Sequence, residues 1–488
     1  MSFSACFKCT IFLFLISCQQ QHDWQHTVLQ AGTIASPRCI DLNGDQVLDV
    51  VIGAGGTKEW EASENGVLAL DGRDGSLLWK SPCRNQLVGS PVFLDIDQDE
   101  IPDIITGGRS AQFVALSGKD GSQIWEYRSV NNTADHASDT SLLNFFTPQL
   151  IPDQDGDGLE DLLTAYGGYV NAPAWQEERP VGYLMVFSSA SGKVLAQAPM
   201  PDGKETYMSP VVFSQGARQK VLFGTGGETV AGGLYLTTLG DLLDNDISEE
   251  VLLFAGEHKG FIAPPVLTDI TQDSFPDIIV NAYEGKTLAI DGQHHHLLWM
   301  VNLGDAYETH SQPAVGNFTG NSTLDFFVNF CKGTWPVVEG AVQILIDGSN
   351  GQYQKIDSVG NLQYASPLTV STGEDRLDKV LFQINTKLDS QFGSETGMSP
   401  YRYETHLLMF DPARSQKQLW KTNAGTNLGS TLLVRDLNED GTTEVLSVFN
   451  HNPYDPFVYQ GFTIDCFSWA GISSQWQQYM GPDGGSHL

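Results

Sequence analysis

The sequence predicts an all-β protein that folds as a single β-propeller, with eight four-stranded blades preferred and seven as the alternative. The main observation is an internal repeat, in which a short apolar strand, an Asp-rich turn and a second apolar strand ending in Gly or Asn recur along the chain. The repeat spans about 56 residues, which leaves room for two further strands per copy and matches the size of a propeller blade. Its clearest copies begin at Ser36, Ser90 and Thr147.

Eight copies of this block are recognisable, and they follow one another along the chain. The remaining five copies, the last two of them degenerate in their acids, begin at Pro264, Gln312, Ser430, Ser209 and Ser366. Between the Asp-rich turns lie paired β-rich runs around a Gly-containing turn, as in residues 66–81 and 112–127. A parallel α/β fold would need amphipathic helices of about 10–15 residues between the strands, and the sequence shows none. Seven blades would follow if one degenerate copy were an elaborated loop.

The charge balance narrows the classes of partner. The 488 residues include 26 Lys and Arg against 59 Asp and Glu, a formal net charge of −33, although only 17% of the residues are charged. The chain is therefore acidic because it lacks bases. A strongly negative field repels phosphate backbones and anionic lipid, so neither nucleic acid nor a membrane surface held by a basic patch is expected as a partner.

The N-terminus predicts an export signal. Residues 1–17 carry one base, Lys8, followed by an apolar run that is far shorter than the roughly 20 residues that span a bilayer. The segment from Leu15 to Cys18 resembles the lipobox of bacterial lipoproteins. This resemblance implies that Cys18 carries lipid, and Gln19 after it implies an outer-membrane location; an ordinary signal peptide is the alternative.

Three segments are therefore expected along the chain. Residues 1–17 form the lipoprotein signal peptide, residues 18–30 form the lipidated N-terminus with a short tether, and residues 31–488 form the propeller. Four cysteines remain after Cys18, and their spacing shows neither a metal pattern nor a dense disulfide framework. We expect mostly buried thiols at these positions, with any pairing left open: Cys39, Cys83, Cys331 and Cys466.

The Asp-rich turns predict calcium sites. Acids or amides recur at positions 1, 3, 5 and 9 of each turn, and oxygen ligands at alternate positions let a tight loop wrap a hard cation. Five turns keep enough acids to be predicted as occupied structural calcium sites: Asp41, Asn43, Asp45 and Asp49; Asp95, Asp97, Asp99 and Asp103; Asp153, Asp155, Asp157 and Asp161; Asp269, Thr271, Asp273 and Asp277; Asp436, Asn438, Asp440 and Glu444.

Two alternatives bear on this prediction. An EF-hand is excluded, because it needs a Glu at position 12 and flanking helices, whereas these turns are nine residues long between strands. Solvated turns without an ion are the competing interpretation, because Asp and Asn favour turns by hydrogen-bonding their own backbone. A sixth turn, at Asn317, keeps a single acid, and the degenerate copies are expected to bind no ion.

The repeated turn between two strands resembles the FG-GAP or VCBS repeats of integrin-α-type propellers, and this resemblance covers nearly the whole mature chain. The segments around the other turns, from Ala69 to Trp79 and from Ala115 to Trp125, resemble the tryptophan-docking repeats of quinoprotein-like, PQQ-type propellers. The second resemblance implies that four tryptophans wedge between adjacent blades: Trp79, Trp125, Trp299 and Trp420.

The face opposite the Asp-rich turns is the expected ligand face. In a propeller the loops between the second and third strands and the blade-to-blade connections lie there, and in this chain they are long and rich in aromatic and polar residues. Loops on a rigid scaffold commonly carry binding function. The ligand-face candidates are Trp60, Trp175, Glu228, Glu308, His310 and Trp335. The competing interpretation is that such residues only seal the central channel.

A run of three histidines, His294 to His296, falls in a predicted turn on the calcium side of the propeller. Three consecutive histidines cannot all face one metal from a strand or turn, so the run is predicted to be a solvated turn.

The function favoured by these observations is a lipid-anchored binding or assembly module of the cell envelope, with a protein or a glycan as ligand. The alternative is a propeller enzyme, either of the quinoprotein type or a polysaccharide lyase or hydrolase that uses Glu228, Glu308 and His310 across the channel. Quinoprotein dehydrogenases use an adjacent pair of cysteines and a metal beside the cofactor, and no such pair occurs here. The catalytic motifs GxSxG and HExxH are also absent from the sequence.

Overall fold

Eight antiparallel sheets form the fold, as the computed structural model shows, and they confirm the eight-bladed propeller. The structure describes residues 21–128, 142–169, 172–173, 175–216, 218–373, 376–389, 401–482 and 484–486. In each blade the strands run from the channel outward in the order a, b, c and d. We call the side with the a–b and c–d turns the turn face, and the side with the b–c loops and the blade-to-blade connections the loop face.

The first four blades follow one another along the chain. Their strands are β2 (Arg38–Ile40), β3 (Asp49–Gly53), β4 (Ser63–Leu70) and β5 (Leu77–Cys83) in blade 1; β6 (Val92–Leu94), β7 (Asp103–Gly107), β8 (Phe113–Leu116) and β9 (Gln123–Glu126) in blade 2; β10 (Asn144–Phe145), β11 (Gln149–Ile151), β12 (Asp161–Gly167), β13 (Tyr183–Phe187) and β14 (Val194–Pro199) in blade 3; β15 (Val211–Gln215), β16 (Arg218–Gly224), β17 (Gly233–Thr238) and β18 (Val251–Ala255) in blade 4. A short helix, α1 (Leu239–Leu243), lies between β17 and β18.

The second half of the ring has the same plan. Its strands are β19 (Val266–Thr268), β20 (Asp277–Ala282), β21 (Lys286–Ile290) and β22 (Leu297–Asn302) in blade 5; β23 (Tyr307–Glu308), β24 (Ala314–Gly316), β25 (Asp325–Thr334), β26 (Val337–Ile346) and β27 (Tyr353–Asp357) in blade 6; β28 (Leu368–Val370), β29 (Lys379–Asp389), β30 (Tyr401–Asp411) and β31 (Gln416–Ala424) in blade 7; β32 (Leu433–Arg435), β33 (Thr442–Asn450) and β34 (Gly461–Ala470) in blade 8.

The N-terminal strand closes the ring. β1 (Gln21–Leu29) pairs antiparallel with β34 and supplies the outer strand of blade 8. Most of the segment expected to be a tether, residues 18–30, is therefore part of the propeller. The sequence-based boundary was wrong at this point because a single outer strand carries none of the repeat by which the other blades were found.

Tryptophans join neighbouring blades as the quinoprotein-like resemblance implies. The indole N–H groups of Trp79, Trp125 and Trp299 donate to backbone carbonyls in the c–d turn of the next blade, over 2.7–2.8 Å. The ring of Trp79 packs so closely on Gly121 that a Cβ there would lie 2.4 Å from it. Trp420 packs on Trp469 of blade 8, with ring centroids 3.9 Å apart.

Sequence reasoning missed a further docking residue, Trp24 on β1. Its indole N–H donates to the Gly72 carbonyl of blade 1 over 2.9 Å, in the same way as the other docking tryptophans. Blade 8 is therefore joined to blade 1 by the contact that joins blade 1 to blade 2.

The C-terminal tail after β34 (residues 471–482 and 484–486) runs along the inner strands. Its hydrogen bonds reach blades 1, 3, 5, 6, 7 and 8 through Arg38, Gln149, Leu267, Gln312, Ser371 and Val434. Trp476 and Met480 of the tail are buried in two different apolar clusters. The tail therefore occupies the central channel.

The four cysteines of the propeller are free thiols. Cys83, Cys331 and Cys466 are buried and Cys39 is half-buried, as expected from their scattered spacing. Burial raises the pKa of the Cys39 thiol to about 11 and that of Cys83 to about 12. In the described part of the chain, no helix has the length and apolar character needed to cross a membrane.

Candidate functional site

The turn face carries the Asp-rich turns, each between strands a and b of its blade. The carboxylate at position 9 opens strand b and is buried in the first copies: Asp49, Asp103 and Asp161. In blade 1 it accepts the N–H of Leu42 from the same turn, at 2.9 Å, and the N–H of Gly72 from the c–d turn, at 3.1 Å. This carboxylate therefore links the two turns of its blade.

The same pair of hydrogen bonds recurs around the ring. Asp103 and Asp161 each accept one N–H from their own turn, and Asp277 and Asp325 each accept two. All four also accept one N–H from the c–d turn. Burial raises the pKa of Asp49 to about 6, and it raises the pKa of the other four carboxyl groups as well. Position 9 thus has a structural role in these five copies, whether or not an ion is bound.

Positions 1 and 5 close the turns on themselves. In the first turn, Asp41 accepts the N–H groups of Gly44 and Gln46, and Asp45 accepts the N–H of Val47. The turns of Asp95 and Asp99, of Asp153 and Asp157, of Asp269 and Asp273 and of Asp436 and Asp440 use similar bonds. In the turn of blade 6, Asn317 and Asn321 make equivalent bonds with amide oxygens. The shape of the turn therefore does not require a carboxylate at positions 1 and 5.

The five predicted calcium turns differ in how closely their carboxylates approach. Among the described residues, three oxygen-bearing side chains come within 4.8 Å of one another at Asp95, Asp97 and Asp99 and at Asp153, Asp155 and Asp161. Asp45 and Asp99 are paired with cations of the c–d turns, Arg73 at 2.9 Å and Lys119 at 3.5 Å.

The Asp153 turn is the best candidate of the five for calcium. No basic side chain of the described residues forms an ion pair with its acids, whereas a built-in cation already neutralises part of the Asp41 and Asp95 turns. The turns that contain Thr271 and Asn438 keep the same backbone hydrogen bonds with wider spacing of their acids. Calcium at these turns stays a prediction.

The loop face collects exposed aromatic and apolar side chains. Among the described residues, half of the large apolar side chains that are exposed lie there, and the rest lie on outer strands d. Trp175 is 61% exposed and Trp60 is 44% exposed. The loop-face members are Leu29, Trp60, Trp175, Val337, Tyr401, Tyr454 and Phe457.

Beneath these side chains, ion pairs tie adjacent loops together. Each pair is largely shielded from solvent and joins residues of different loops or connections. The pairs are Glu59 with Arg109 at 2.6 Å, Arg84 with Glu126 at 2.8 Å, Arg179 with Glu205 at 3.6 Å, and Lys259 with Glu308. These pairs therefore hold the loops that carry them in place, since moving one loop would separate buried charges.

Glu308 is the centre of the most connected group on this face. Its carboxylate pairs with Lys259, lies 3.2 Å from Nε2 of His310 and accepts the backbone N–H of Trp335 at 3.0 Å. On the other side of the imidazole, Nδ1 of His310 lies 3.6 Å from Sγ of Cys331. Three of the predicted ligand-face residues thus meet at one point.

The His310 ring is enclosed by aromatic rings. It packs against Tyr283 and Tyr364, with centroid distances of 4.5 and 4.4 Å. Trp335 packs edge-on against Tyr364 and against Phe457 of blade 8. Burial acts to lower the pKa of His310, but Cys331 and Glu308 outweigh burial and raise the pKa to about 9. His310 is therefore a cation at neutral pH.

Glu228 belongs to a second, neighbouring group with Arg179 and Glu205. Nη2 of Arg179 lies 4.0 Å from Oε1 of Glu228, and Tyr207 donates its O–H to Glu205 at 2.9 Å. Burial, followed by the charge of Glu228, raises the pKa of Glu205 to about 7, and Arg179 offsets part of this. Nε of Arg179 and Oε1 of Glu205 are buried without a hydrogen-bond partner. Glu228, Glu308 and His310 were expected to converge in one group. The structure places Glu228 in one group and Glu308 and His310 in a neighbouring one.

Trp60 and Trp175 lie apart from these groups, on the loops of blades 1 and 3. Sequence reasoning missed Glu205, Lys259, Tyr364 and Phe457, which complete the two groups. Their only sequence signal is their place in loops that follow strand b or strand d. Nothing in a single sequence tells which of many loop residues meet across blades.

The described part of the channel holds a small cavity beside the C-terminal tail. The space left beside the tail is a cavity of about 160 Å³, lined by aromatic and small side chains that include Tyr207, His310, Tyr364 and Tyr479. Among the described residues, each group of three side chains spaced to ligate a metal lies on the turn face, far from this cavity. The chain also lacks an adjacent cysteine pair.

Comparison with known proteins supports the architecture. A family model described as "Outer membrane protein assembly factor BamB" matches residues 24–229, which is less than half of the chain. Protein FAM234B of Gallus gallus is 25% identical over 483 residues, covering 88% of this chain and 70% of that protein.

Two solved structures have the same fold at low sequence identity. Quinohemoprotein alcohol dehydrogenase from Comamonas testosteroni has a TM-score of 0.54 at 10% identity and covers 92% of this chain and 76% of its own. A europium-containing methanol dehydrogenase has a TM-score of 0.57 at 10% identity and covers 92% and 93%. The propeller fold is thus confirmed, and the structure shows the tryptophan docking that quinoprotein-like repeats imply. The FG-GAP resemblance, calcium and lipid stay predictions.

Proposed function

We propose that this propeller is a binding module whose loop face engages a protein or a carbohydrate. The observation that carries the proposal is the exposed aromatic set of the loop face, which stands on shielded ion pairs. Aromatic side chains are enriched at protein interfaces, and their flat rings supply contact area at a small entropic cost. Because the underlying ion pairs hold the loops in place, little ordering would be needed on binding.

The enzyme alternative has weaker support. Although burial acts to raise it, contacts with His310 and Lys259 hold the pKa of Glu308 below its usual value. An ionised carboxylate cannot serve as a general acid, and this one already accepts bonds from three groups. A lyase or hydrolase would also need room for a sugar at His310, whose side chain is fully buried and packs against Tyr283 and Tyr364.

Paired variants test the location of the binding face. The double variant W60A/W175A removes two exposed loop-face rings, and L297A/M300A removes two exposed side chains of the outer strand β22 as a matched control. We expect binding to glycan arrays, or to partners cross-linked in the native cell, to be lost in the first variant and kept in the second. Equal binding by both variants would contradict the proposal.

The bacterial envelope and lipid at Cys18 rest on the first 19 residues, which lie outside the described residues. The match to an animal protein over most of the chain does not add to this part of the prediction. Labelling with palmitate, compared between the full chain and C18S, tests it; label that is retained in C18S would contradict it.

A further inference from the structure

The c–d turns repeat one backbone conformation, and the turn of blade 5 departs from it in sequence. In blade 1 the N–H of Asp71 donates to the Ser76 carbonyl and the N–H of Gly75 donates back to Asp71. In blade 5 the corresponding bonds join Asp291 to His296 and His295 to Asp291. Four turns have Gly at the left-handed position, with φ between 67° and 73°: Gly75, Gly121, Gly192 and Gly351.

Blade 5 places three histidines where the other turns have Gly and small polar residues. His295 takes the left-handed position with φ of 60°, which is unfavourable for a residue with a Cβ. The turn nevertheless keeps its shape. The two flanking histidines, His294 and His296, therefore stand at fixed positions of a known turn.

The turn places the three histidine side chains in different environments. His294 and His296 are exposed on the same side as the Asp291 carboxylate, with side-chain exposures of 65% and 60%. Nδ1 of His294 lies 3.3 Å from one carboxylate oxygen and Nδ1 of His296 lies 3.8 Å from the other. His295 differs from both, because its Nε2 is buried without a hydrogen-bond partner.

Asp291 is held in place independently of the histidines. Its side chain is almost fully buried, and it accepts backbone N–H groups of Gln293 and His294 within the turn. One ligand atom from each of Asp291, His294 and His296 lies within 4.8 Å of the other two. Modest rotation of two exposed imidazoles would bring the three atoms to the spacing that a common ion at about 2.0–2.2 Å requires.

We propose that Asp291, His294 and His296 form a binding site for zinc or a similar divalent transition metal. Imidazole nitrogen suits zinc, copper and nickel, whereas calcium takes oxygen ligands, so this site is chemically distinct from the Asp-rich a–b turns. Two imidazoles and one carboxylate leave coordination positions open to water. The turn is solvent-exposed, as its sequence predicted, and two of its three histidines face one point together with an acid.

Zinc titration of the full chain by calorimetry, with calcium present at about 1 mM to fill oxygen sites, tests the proposal. We expect one zinc per chain at this site, and H294A and H296A should each weaken its affinity by about tenfold or more. H295G is the matched control, because it restores the residue found in four other turns and removes no proposed ligand. It should leave zinc affinity unchanged.

A second experiment tests whether a new zinc site can be created in another blade. In blade 6 the corresponding turn has Asp347, Asn350, Gly351 and Gln352, so N350H/Q352H rebuilds the same three ligands in a turn that already has Gly. This variant should bind a second zinc. The proposal is overturned if H294A/H296A binds zinc as tightly as the parent, if H295G loses affinity to the same extent, or if N350H/Q352H gains no site while circular dichroism shows it folded.

Discussion

On the turn face the same hydrogen bonds recur in blade after blade, whereas each described ion pair of the loop face has its own residues and spacing. Asp49, Asp103 and Asp161 make matching bonds. The Arg109 and Lys259 pairs share no pattern with each other. Contacts that fold each blade are repeated because every blade has the same architecture, but loops at the opposite end are free to diverge. Repetition therefore marks the parts that hold the ring together, and its loss marks the surface on which function is expected.

The largest expected effect is a difference in stability between two variants. One removes a docking tryptophan of the kind that recurs between blades, and the other removes an exposed tryptophan of the loop face. Trp125 is buried between blades and hydrogen-bonded to Ser189, so W125A should lower the free energy of unfolding by about 3–5 kcal/mol. Trp175 is exposed on the loop face, so W175A should change it by less than about 0.5 kcal/mol. Urea denaturation measures both. Similar losses in the two variants would break the distinction between the faces.

An intermediate effect is expected from the buried acid of the loop face. The pKa of Glu205 is raised to about 7 in the folded protein. Its protonated form therefore contributes stability that is complete below about pH 4.5 and is lost as the pH rises through 7. E205Q should raise the free energy of unfolding by about 1–3 kcal/mol at pH 8 and have little effect near pH 5.

Thermal or urea unfolding at the two pH values measures this difference. Glu178, the exposed neighbour of Arg179, supplies the control, since E178Q removes a charge of the loop that pairs with Glu205 without removing a buried one. If E205Q raised the free energy of unfolding by the same amount at pH 5 and pH 8, Glu205 would not titrate in this range.

The smallest expected effect concerns calcium at a single turn. At a dissociation constant near 10⁻⁴ M, calcium at about 1 mM stabilises one site by roughly 1.4 kcal/mol. D155N/D157N should remove about that increment, because Asn keeps the turn, as Asn43 does in blade 1, but lowers the charge. R73Q should increase the calcium response of the first turn, since Arg73 pairs with Asp45 there.

Melting temperatures with calcium and with excess EDTA measure these increments. D246N, in an exposed turn of blade 4 outside the repeat, should leave the calcium response unchanged. A parent protein that melts at the same temperature in calcium and in EDTA would contradict calcium binding at all five turns.

The sequence was sufficient where a contact repeats and insufficient where it occurs once. Eight blades and the a–b turns follow from a period that averages over many copies, and the docking of Trp79, Trp125 and Trp299 follows from the resemblance to quinoprotein-like repeats. Trp24 was missed because β1 comes from the opposite end of the chain to its sheet partners. The neighbours of Glu308 were missed for a related reason: Lys259 is 49 residues away along the chain, and no local pattern brings it close.

The C-terminal tail changes how the ring is expected to come apart. Where repeats touch only their neighbours, stability is a sum of adjacent terms and units can open one at a time. Here the tail bonds to Gln149, Gln312 and Val434, which belong to blades 3, 6 and 8. Opening one of these blades therefore also weakens blades on the far side of the channel. The tail couples distant blades, so the propeller should unfold in one sharp cooperative transition instead of a series of small ones.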